Sequence, residues 1–592
     1  MGSSMRTSKE RSLLIGLVFT LAFSVVIIRL FWIQTVQSDE YLTEAQSIYV
    51  KESMLRPKRG VIFDRSKKHE FAWEADAYYF IADHTKIKDP EKTARVLAPI
   101  LEIDESILQK KLEQRIEQKR DIEFRHGAKF KYPEEVVRQI QELQKKDIIQ
   151  GIHVYSTTTR QYHGSEAAHI IGFMNADDQA VGGVEKTYNQ WLRGQEGYAK
   201  YISSKSGVKI SEELGDQNRP AVPGKDLVLT IDARIQNQVE RELDQAMETY
   251  QAKGAIAIVS DPKNGEILAM ASRPVFDPNK YAETLNDENA RNRAIESQFE
   301  PGSTFKIVTL AAGIEEGLFK PEATFESGSI EVGDRTIRDW KTDGWGTITY
   351  RQGVELSSNV AFVKLGQQLG EKKLVSYVDQ FGFGNVNERL GKKTGIDLPA
   401  EGRGYFFNRR LYPSELASTA FGQGISVTPI QQVAAINAIA NDGVWNEPHL
   451  MKEIWDSKQN QVIQSFKPKG HRIVQPSTAQ QVRKLLRGVV KNGTAREAEV
   501  PGFQVAGKTG TAQKPDPEGK GYHKDKYVVS FVGFAPYENP ELVVYVALDE
   551  PSATYGNVSG GSIAAPVARD ILKMTLPLRG IQPNKEAADS IK

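Results

Sequence analysis

Three short groups of residues could carry chemistry in this chain: Ser303-Thr304-Phe305-Lys306, Ser357-Ser358-Asn359 and Lys508-Thr509-Gly510-Thr511. The first follows a Pro301-Gly302 turn and runs into Ile307-Val308-Thr309-Leu310, an apolar-periodic segment that predicts a helix from about Ser303 to Gly317. Residues three apart on a helix share a face, so Ser303 and Lys306 are expected to meet. A hydroxyl beside an amine at the positive end of a helix is a candidate activated nucleophile. Each group taken singly also has a plain explanation. Ser-x-x-Lys recurs in exposed helices, and Ser357-Ser358-Asn359 would serve as a turn or N-cap before Val360-Ala361-Phe362-Val363. Lys-Thr-Gly is a common tripeptide. Their occurrence in this order along one chain is what gives them weight.

The surrounding chain supplies the elements that must position them. Leu227-Val228-Leu229-Thr230-Ile231-Asp232 reads as a strand and Ile235 to Tyr250 as an amphipathic helix. Gly254 to Ser260 and Glu266 to Ser272 read as two strands joined through Asn264-Gly265, a hairpin signal. Helices dominate from about Phe299 to Asp442. Strands return from Phe503 through the Lys508 group, then over Tyr527 to Phe534 and Leu542 to Asp549, with a turn at Glu538-Asn539-Pro540. A helix from Ser562 to Met574 closes the domain. This order predicts a sheet whose first and last strands come together around a mostly helical insertion.

Upstream, Leu13 to Ile33 is an almost unbroken apolar run; its 21 positions span about 30 Å as a helix, the thickness of a bilayer core. Arg6, Lys9 and Arg11 precede it and Asp39 and Glu40 follow it, which predicts an inside N-terminus and an extracytoplasmic bulk. The rival, a cleaved signal peptide, lacks a small-x-small site close after the run. Asp89 to about Ile149 is charged and helix-periodic, a set of helices with solvated faces.

With 592 residues the chain exceeds one ordinary core, and Pro220 to Lys225 reads as a boundary. The expected division is a cytoplasmic tail (1–12), a transmembrane anchor (13–33), a pedestal (34–222), a catalytic domain (223–580) and a C-terminal tail (581–592). Net charge is +1, which offers no argument for nucleic acid, and the absence of cysteine excludes disulfides, thiolate metal sites and a cysteine nucleophile. His163 and His169 are read as surface or turn histidines rather than metal ligands.

The three groups together resemble the transpeptidase domain of a penicillin-binding protein, and the spacings of 54 residues from Ser303 to Ser357 and 151 from Ser357 to Lys508 fit it. Arg59-Gly60-Val61-Ile62-Phe63-Asp64-Arg65, Gly183-Val184-Glu185, Pro223-Gly224-Lys225-Asp226, Gly422-Gln423-Gly424 and Thr428-Pro429 resemble the class B, monofunctional branch. Two stretches depart from it. Ser66-Lys67 stands where the family's strand continues Asn-Gly, and the family's Arg-x-Tyr-Pro is here Arg160-Gln161-Tyr162-His163.

The resemblance implies an α+β fold: a transmembrane helix, an elongated α+β pedestal and a serine β-lactamase-like domain with an antiparallel sheet, flanking helices and an all-helical subdomain. It implies Ser303 as nucleophile, Lys306 as its base, Ser357 as proton relay toward the leaving amine, and Asn359 positioning the substrate amide and Lys306. A lysine is a base only while its amine is neutral; burial and a second cation lower its pKa, and Lys508 would be that cation. Lys508, Thr509 and Thr511 would bind a terminal carboxylate. Gly510 would let a substrate backbone come close. Backbone N–H groups of Ser303 and Thr511 would form the oxyanion hole, where losing one donor costs about 3 kcal/mol.

The expected activity is D,D-transpeptidation of peptidoglycan stem peptides ending in D-Ala-D-Ala, with β-lactams acylating Ser303 and no cofactor or metal required. A SEDS-family glycosyltransferase and divisome or elongasome proteins are expected partners in the cell membrane. A serine β-lactamase, a D,D-carboxypeptidase and a non-enzymatic β-lactam-binding scaffold remain as alternatives.

Overall fold

The computed structural model describes residues 2–41, 50–125, 127, 130–203, 209–212, 218–384, 391–406, 410–516, 518–519, 521–552 and 557–584. The expected C-terminal tail lies outside the described residues beyond 584. The chain forms two compact units, Met1–Lys58 with Arg193–Gly224, and Arg59–Leu192 with Lys225–Lys592.

The first unit contains the helix Gly2–Thr35. Its Lys9–Thr35 stretch, 27 residues containing an 18-residue window of mean hydropathy 2.6, is long and apolar enough to cross a membrane. The unit also holds a three-stranded antiparallel sheet in which Gly197–Ser203 lies between Val50–Leu55 and Lys209–Glu212.

In the second unit a seven-stranded sheet takes strands from both sides of the expected 222/223 boundary. Ile62–Phe63 pairs parallel with Asp226–Leu229, which pairs antiparallel with Met451–Asp456; on its other side Ile62–Phe63 pairs with Glu70–Ala82. The stretches around Arg59, Arg160 and Glu185 converge beside it. Glu185, fully buried, accepts from Arg59 Nε (2.7 Å) and Arg160 Nε (2.7 Å), and Arg160 Nη1 donates to the Gly60 carbonyl at 2.8 Å. One buried carboxylate between two guanidiniums is charge-compensated, and the paired arginines hold its pKa below the usual carboxylate range against the cost of burial.

The two departures have local structure of their own. Lys67 takes φ 62°, the left-handed region that glycine adopts without steric cost. Its ammonium lies 2.5 Å from Glu453 Oε1 and 4.3 Å from the centre of the Trp455 ring, contacts a glycine could not make. The His163 ring stacks on His69, with ring centroids 4.8 Å apart.

The other large sheet of this unit has five antiparallel strands. Helix α1 (Ala233–Tyr250) is capped by Asp232, whose carboxylate accepts from the Arg234 N–H. Strands β1 (Gly254–Ser260) and β2 (Ile267–Arg273) form the expected hairpin. The chain then leaves the sheet for α2 (Lys306–Glu315), α3 (Asn359–Gln380), α4 (Pro429–Ala440) and α5 (Pro476–Lys491). It returns through β3 (Ala506–Pro515), β4 (Tyr522–Ala535) and β5 (Leu542–Asp549), and ends in α6 (Ala565–Leu578).

The strand order is β2-β1-β5-β4-β3, so β1 and β5, nearly 300 residues apart in sequence (Gly254 opposite Asp549), close the sheet. Every residue of β1 and β2 is buried, the pattern of strands covered on both faces, and α1, α4 and α6 pack against the sheet. All 12 residues of α4 are buried; most are Ala, Ile or Val, and its polar Gln431, Gln432 and Asn437 each make an internal side-chain hydrogen bond. The sheet places β3 at an edge, where its outer side is open to an extended ligand.

Candidate active site

Gly302 to Phe305 is a 3₁₀ turn, and α2 begins only at Lys306. The expected helix therefore starts one turn later than Ser303. Gly302 at φ 57° donates its N–H to the Gly422 carbonyl (3.0 Å), which pins the entry to the turn. In a 3₁₀ turn residues i and i+3 eclipse, so Ser303 and Lys306 still share an edge. Ser303 is half-buried, whereas Lys306 is 1% exposed.

The Lys306 ammonium donates to the Ser357 carbonyl (2.8 Å), Ser357 Oγ (3.3 Å) and Asn359 Oδ1 (2.8 Å). Among the described residues its hydrogen bonds go to this second group and none to Ser303 Oγ. Ser357 is buried at φ 59°, a left-handed conformation uncommon for serine, which turns its carbonyl and hydroxyl toward the lysine. Ser358 is the N-cap of α3, its hydroxyl accepting from the Ala361 N–H. The plain N-cap explanation and the chemical one are therefore both true, of neighbouring residues. The Asn359 amide is fixed at its other end, Nδ2 donating to the Arg338 carbonyl at 2.8 Å.

Burial drives the Lys306 pKa well below the ordinary lysine value, and the charge of Lys508 pushes it further down; Asp339 works in the opposite sense. Lys508, also 1% exposed, is lowered to about 7 by burial and donates to the Thr509 carbonyl at 3.0 Å. Two buried amines with no carboxylate hydrogen-bonded to either among the described residues are costly, and they make an anion-seeking site with one amine available as a base.

Strand β3 presents the third group. The Thr509 and Thr494 hydroxyls lie 3.2 Å apart. Thr511 accepts the Gly560 N–H on its hydroxyl oxygen (3.0 Å), which leaves the hydroxyl proton for an outward acceptor. Gly560 opens a π-helical turn, Gly560–Ala564, just before α6. At Gly510 a Cβ would meet Ser530 Oγ at 2.5 Å and the Pro301 carbonyl at 3.0 Å, so its own chain, including the turn that carries Ser303, leaves no room for a side chain.

Two contributors escape sequence reasoning. Asp339, 2% exposed, accepts from Ser358 Oγ (2.9 and 3.1 Å), Val360 N–H (3.1 Å) and Gly328 N–H (2.9 Å), and so anchors the second group. Nothing in Arg338-Asp339-Trp340 marks it. Glu300, 7% exposed, accepts from the Gly424 N–H; it was visible only as a neighbour of the Pro301-Gly302 turn. Elsewhere, Asp83, His84 and Asp121 bring candidate ligand atoms within 4.8 Å of one another, in the expected pedestal rather than at the three groups.

Residues 255–573 match the family described as the penicillin-binding protein transpeptidase domain, and residues 54–229 match the penicillin-binding protein dimerisation domain. Stage V sporulation protein D of Bacillus subtilis is 38% identical over 98% of this chain and 87% of its own length. A probable peptidoglycan D,D-transpeptidase, PenA, of Neisseria meningitidis is 29% identical over 98% of this chain and 94% of its own. Penicillin-binding protein 3 of Mycobacterium tuberculosis, solved in complex with aztreonam, superposes with a TM-score of 0.68 at 28% identity, covering 90% of this chain and 99% of that one.

Proposed function

The chain belongs to the penicillin-binding protein transpeptidase family, in its class B branch, and is a membrane-anchored peptidoglycan D,D-transpeptidase; on that premise we propose that Ser303 is its nucleophile and Lys306 the base that activates it. The observation that carries this assignment is the buried Lys306 amine, depressed by burial and by Lys508, and held by Ser357 and Asn359.

Ser303 Oγ attacks the carbonyl of the penultimate D-Ala as its proton passes to the neutral Lys306 amine. The tetrahedral oxyanion is received by the backbone N–H groups of Ser303 and Thr511. Collapse breaks the peptide C–N bond; the Ser357 hydroxyl passes a proton to the departing D-Ala amine and takes its replacement from the Lys306 ammonium, which donates to it at 3.3 Å, so Lys306 is neutral again for the second half-reaction. An amine of a neighbouring stem peptide then attacks the acyl carbonyl, loses its proton, and regenerates Ser303 Oγ–H with a new cross-link. Lys508, Thr509 and Thr511 hold the terminal carboxylate, while Gly510 lies in the strand that pairs with the peptide backbone. In a β-lactam the leaving nitrogen stays tethered, so the acyl-enzyme persists.

The division at residues 12, 33, 222 and 580, the inside N-terminus and a SEDS-family glycosyltransferase partner belong to the same reading. Support comes from the Lys9–Thr35 span and the charges flanking it. Co-purification with such a partner after deletion of residues 1–220 would count against the anchor and pedestal as the contact.

Intact-protein mass after benzylpenicillin, followed over time, tests the nucleophile. A stable adduct on Ser303 that is lost in Ser303→Ala, with the fold retained, is expected. Rapid adduct loss with product accumulation would indicate a β-lactamase, and labelling of Ser303→Ala would overturn the assignment.

A further inference from the structure

Glu300 precedes Ser303 by three residues and lies outside the three groups; its side-chain hydrogen bonds go to Gly424 and Tyr522. Its carboxylate is buried, yet among the described residues no cation pairs with it by hydrogen bond. Oε1 accepts the Gly424 N–H (3.0 Å), and the Tyr522 hydroxyl lies 3.0 Å from Oε1 and 3.1 Å from Oε2. Burying a carboxyl among neutral partners costs stability that the hydrogen bonds from Gly424 and Tyr522 only partly offset.

That position joins two structures. Tyr522 is the first residue of β4 and pairs with Pro515 at the outer end of β3, beyond an irregularity in the register after Gln513. Between Thr511 and Pro515 the hairpin extends about 13 Å. Its outer side is tied to β5 by Lys514, which meets Asp549 Oδ1 (2.8 Å) and Glu550 Oε1 (2.6 Å). On the other side Glu300 meets it from the Pro301-Gly302 turn, and the Gly422–Gly424 loop braces the same turn through Gly302 and Glu300.

We propose that Glu300 is a positioning residue: through the Tyr522 hydroxyl it ties the outer end of the β3–β4 hairpin to the turn carrying Ser303, and so sets the gap between nucleophile and the strand that receives the acyl donor's backbone. The inference rests on Ser303 as nucleophile. A displacement of about an ångström between reacting groups is enough to slow a reaction severely, so a tie at this point acts on the chemical step rather than on the initial encounter.

The test uses the full-length protein in detergent and a fluorescent penicillin, with the concentration dependence separating the pre-acylation affinity from the acylation rate constant. Glu300→Ala and Tyr522→Phe should each lower the rate constant about tenfold, the effect of one lost hydrogen bond, with the affinity within about twofold. Glu300→Gln, whose amide oxygen still accepts, should recover most of it. The double variant Glu300→Ala/Tyr522→Phe should be no slower than the slower single variant, because the two residues form one tie. Wild-type rates in Tyr522→Phe, or losses that multiply in the double variant, would overturn the inference while leaving Ser303 in place. A wild-type protein that gives no Ser303 adduct would overturn the proposed function, and this inference with it.

Discussion

Lys306 Nζ donates a 2.8 Å hydrogen bond to Oδ1 of Asn359, a side chain 53 residues further along the chain. The contact joins the first motif to the second and gives the amine a neutral partner, one that orients it without restoring its charge. A carboxylate in the same place would stabilise the ammonium and remove the base.

Replacement of Asn359 should therefore separate two effects. Asn359→Ala removes the acceptor and the tie to Arg338, and should slow penicillin acylation about ten- to a hundredfold, equivalent to roughly 1–3 kcal/mol. Asn359→Asp keeps the shape and adds a charge, so the Lys306 pKa should rise and the acid limb of the acylation pH profile should move to higher pH. An unmoved limb would show that Lys306 is not the titrating base.

Lys508 titrates at about 7, whereas its proposed role in holding a carboxylate requires the charged form. The acylation efficiency of the free enzyme should rise as Lys306 becomes neutral and fall again above about pH 7 as Lys508 loses its proton. Lys508→Arg stays charged throughout this range. It should lower the maximum, because a larger head group enters a packed site, but abolish the alkaline limb. Rates measured from pH 5 to 9 under pseudo-first-order conditions would decide.

The same buried amine has a stability signature. Lysine in the unfolded chain titrates near its ordinary value, while folded Lys508 titrates at about 7. Between these two values the unfolded state binds more protons, so this group makes stability rise with pH from about 7 toward about 10, and its cost is fully present at lower pH. Lys508→Met should raise the melting temperature at pH 6, by about 1–3 kcal/mol of stability, while abolishing acylation. The stability gain should shrink at pH 9; an equal gain at both pH values would contradict the depressed pKa.

Asp339 offers a test of the scaffold beneath the site. Asp339→Ala leaves the Ser358 hydroxyl and the Val360 and Gly328 N–H groups without their acceptor, and should destabilise the domain by about 2–4 kcal/mol. It also removes the one carboxylate that raises the Lys306 pKa, so residual acylation should keep its rate to lower pH than in the wild type. Thermal unfolding and the acid limb of the rate profile read the two consequences separately.

The sequence by itself determined the three chemical groups, their order and the elements that carry them. Each depends on local signals: a Pro-Gly turn before an apolar-periodic run, an Asn-Gly hairpin, alternations of strand and turn, and 21 apolar residues in succession. It also led to the expectation that burial and a second cation would depress the Lys306 pKa, since either makes a neutral amine more accessible.

Only the tertiary structure decided what supplies them. Asp339 and Tyr522 bear no local mark, since their partners come from other parts of the chain: the Ser358 hydroxyl and the Val360 and Gly328 N–H groups for Asp339, the Glu300 carboxylate for Tyr522. Ser303 lies on a 3₁₀ turn rather than an α-helix because Gly302 is pinned to Gly422, more than a hundred residues away in sequence. Gly510 is small because Pro301 and Ser530 press on it, a contact that a strand pattern cannot reveal. Periodicity reports which face of an element is buried. It does not report which distant atom will lie against it, and in this site those distant atoms set the pKa values, the turn geometry and the fit of the strand.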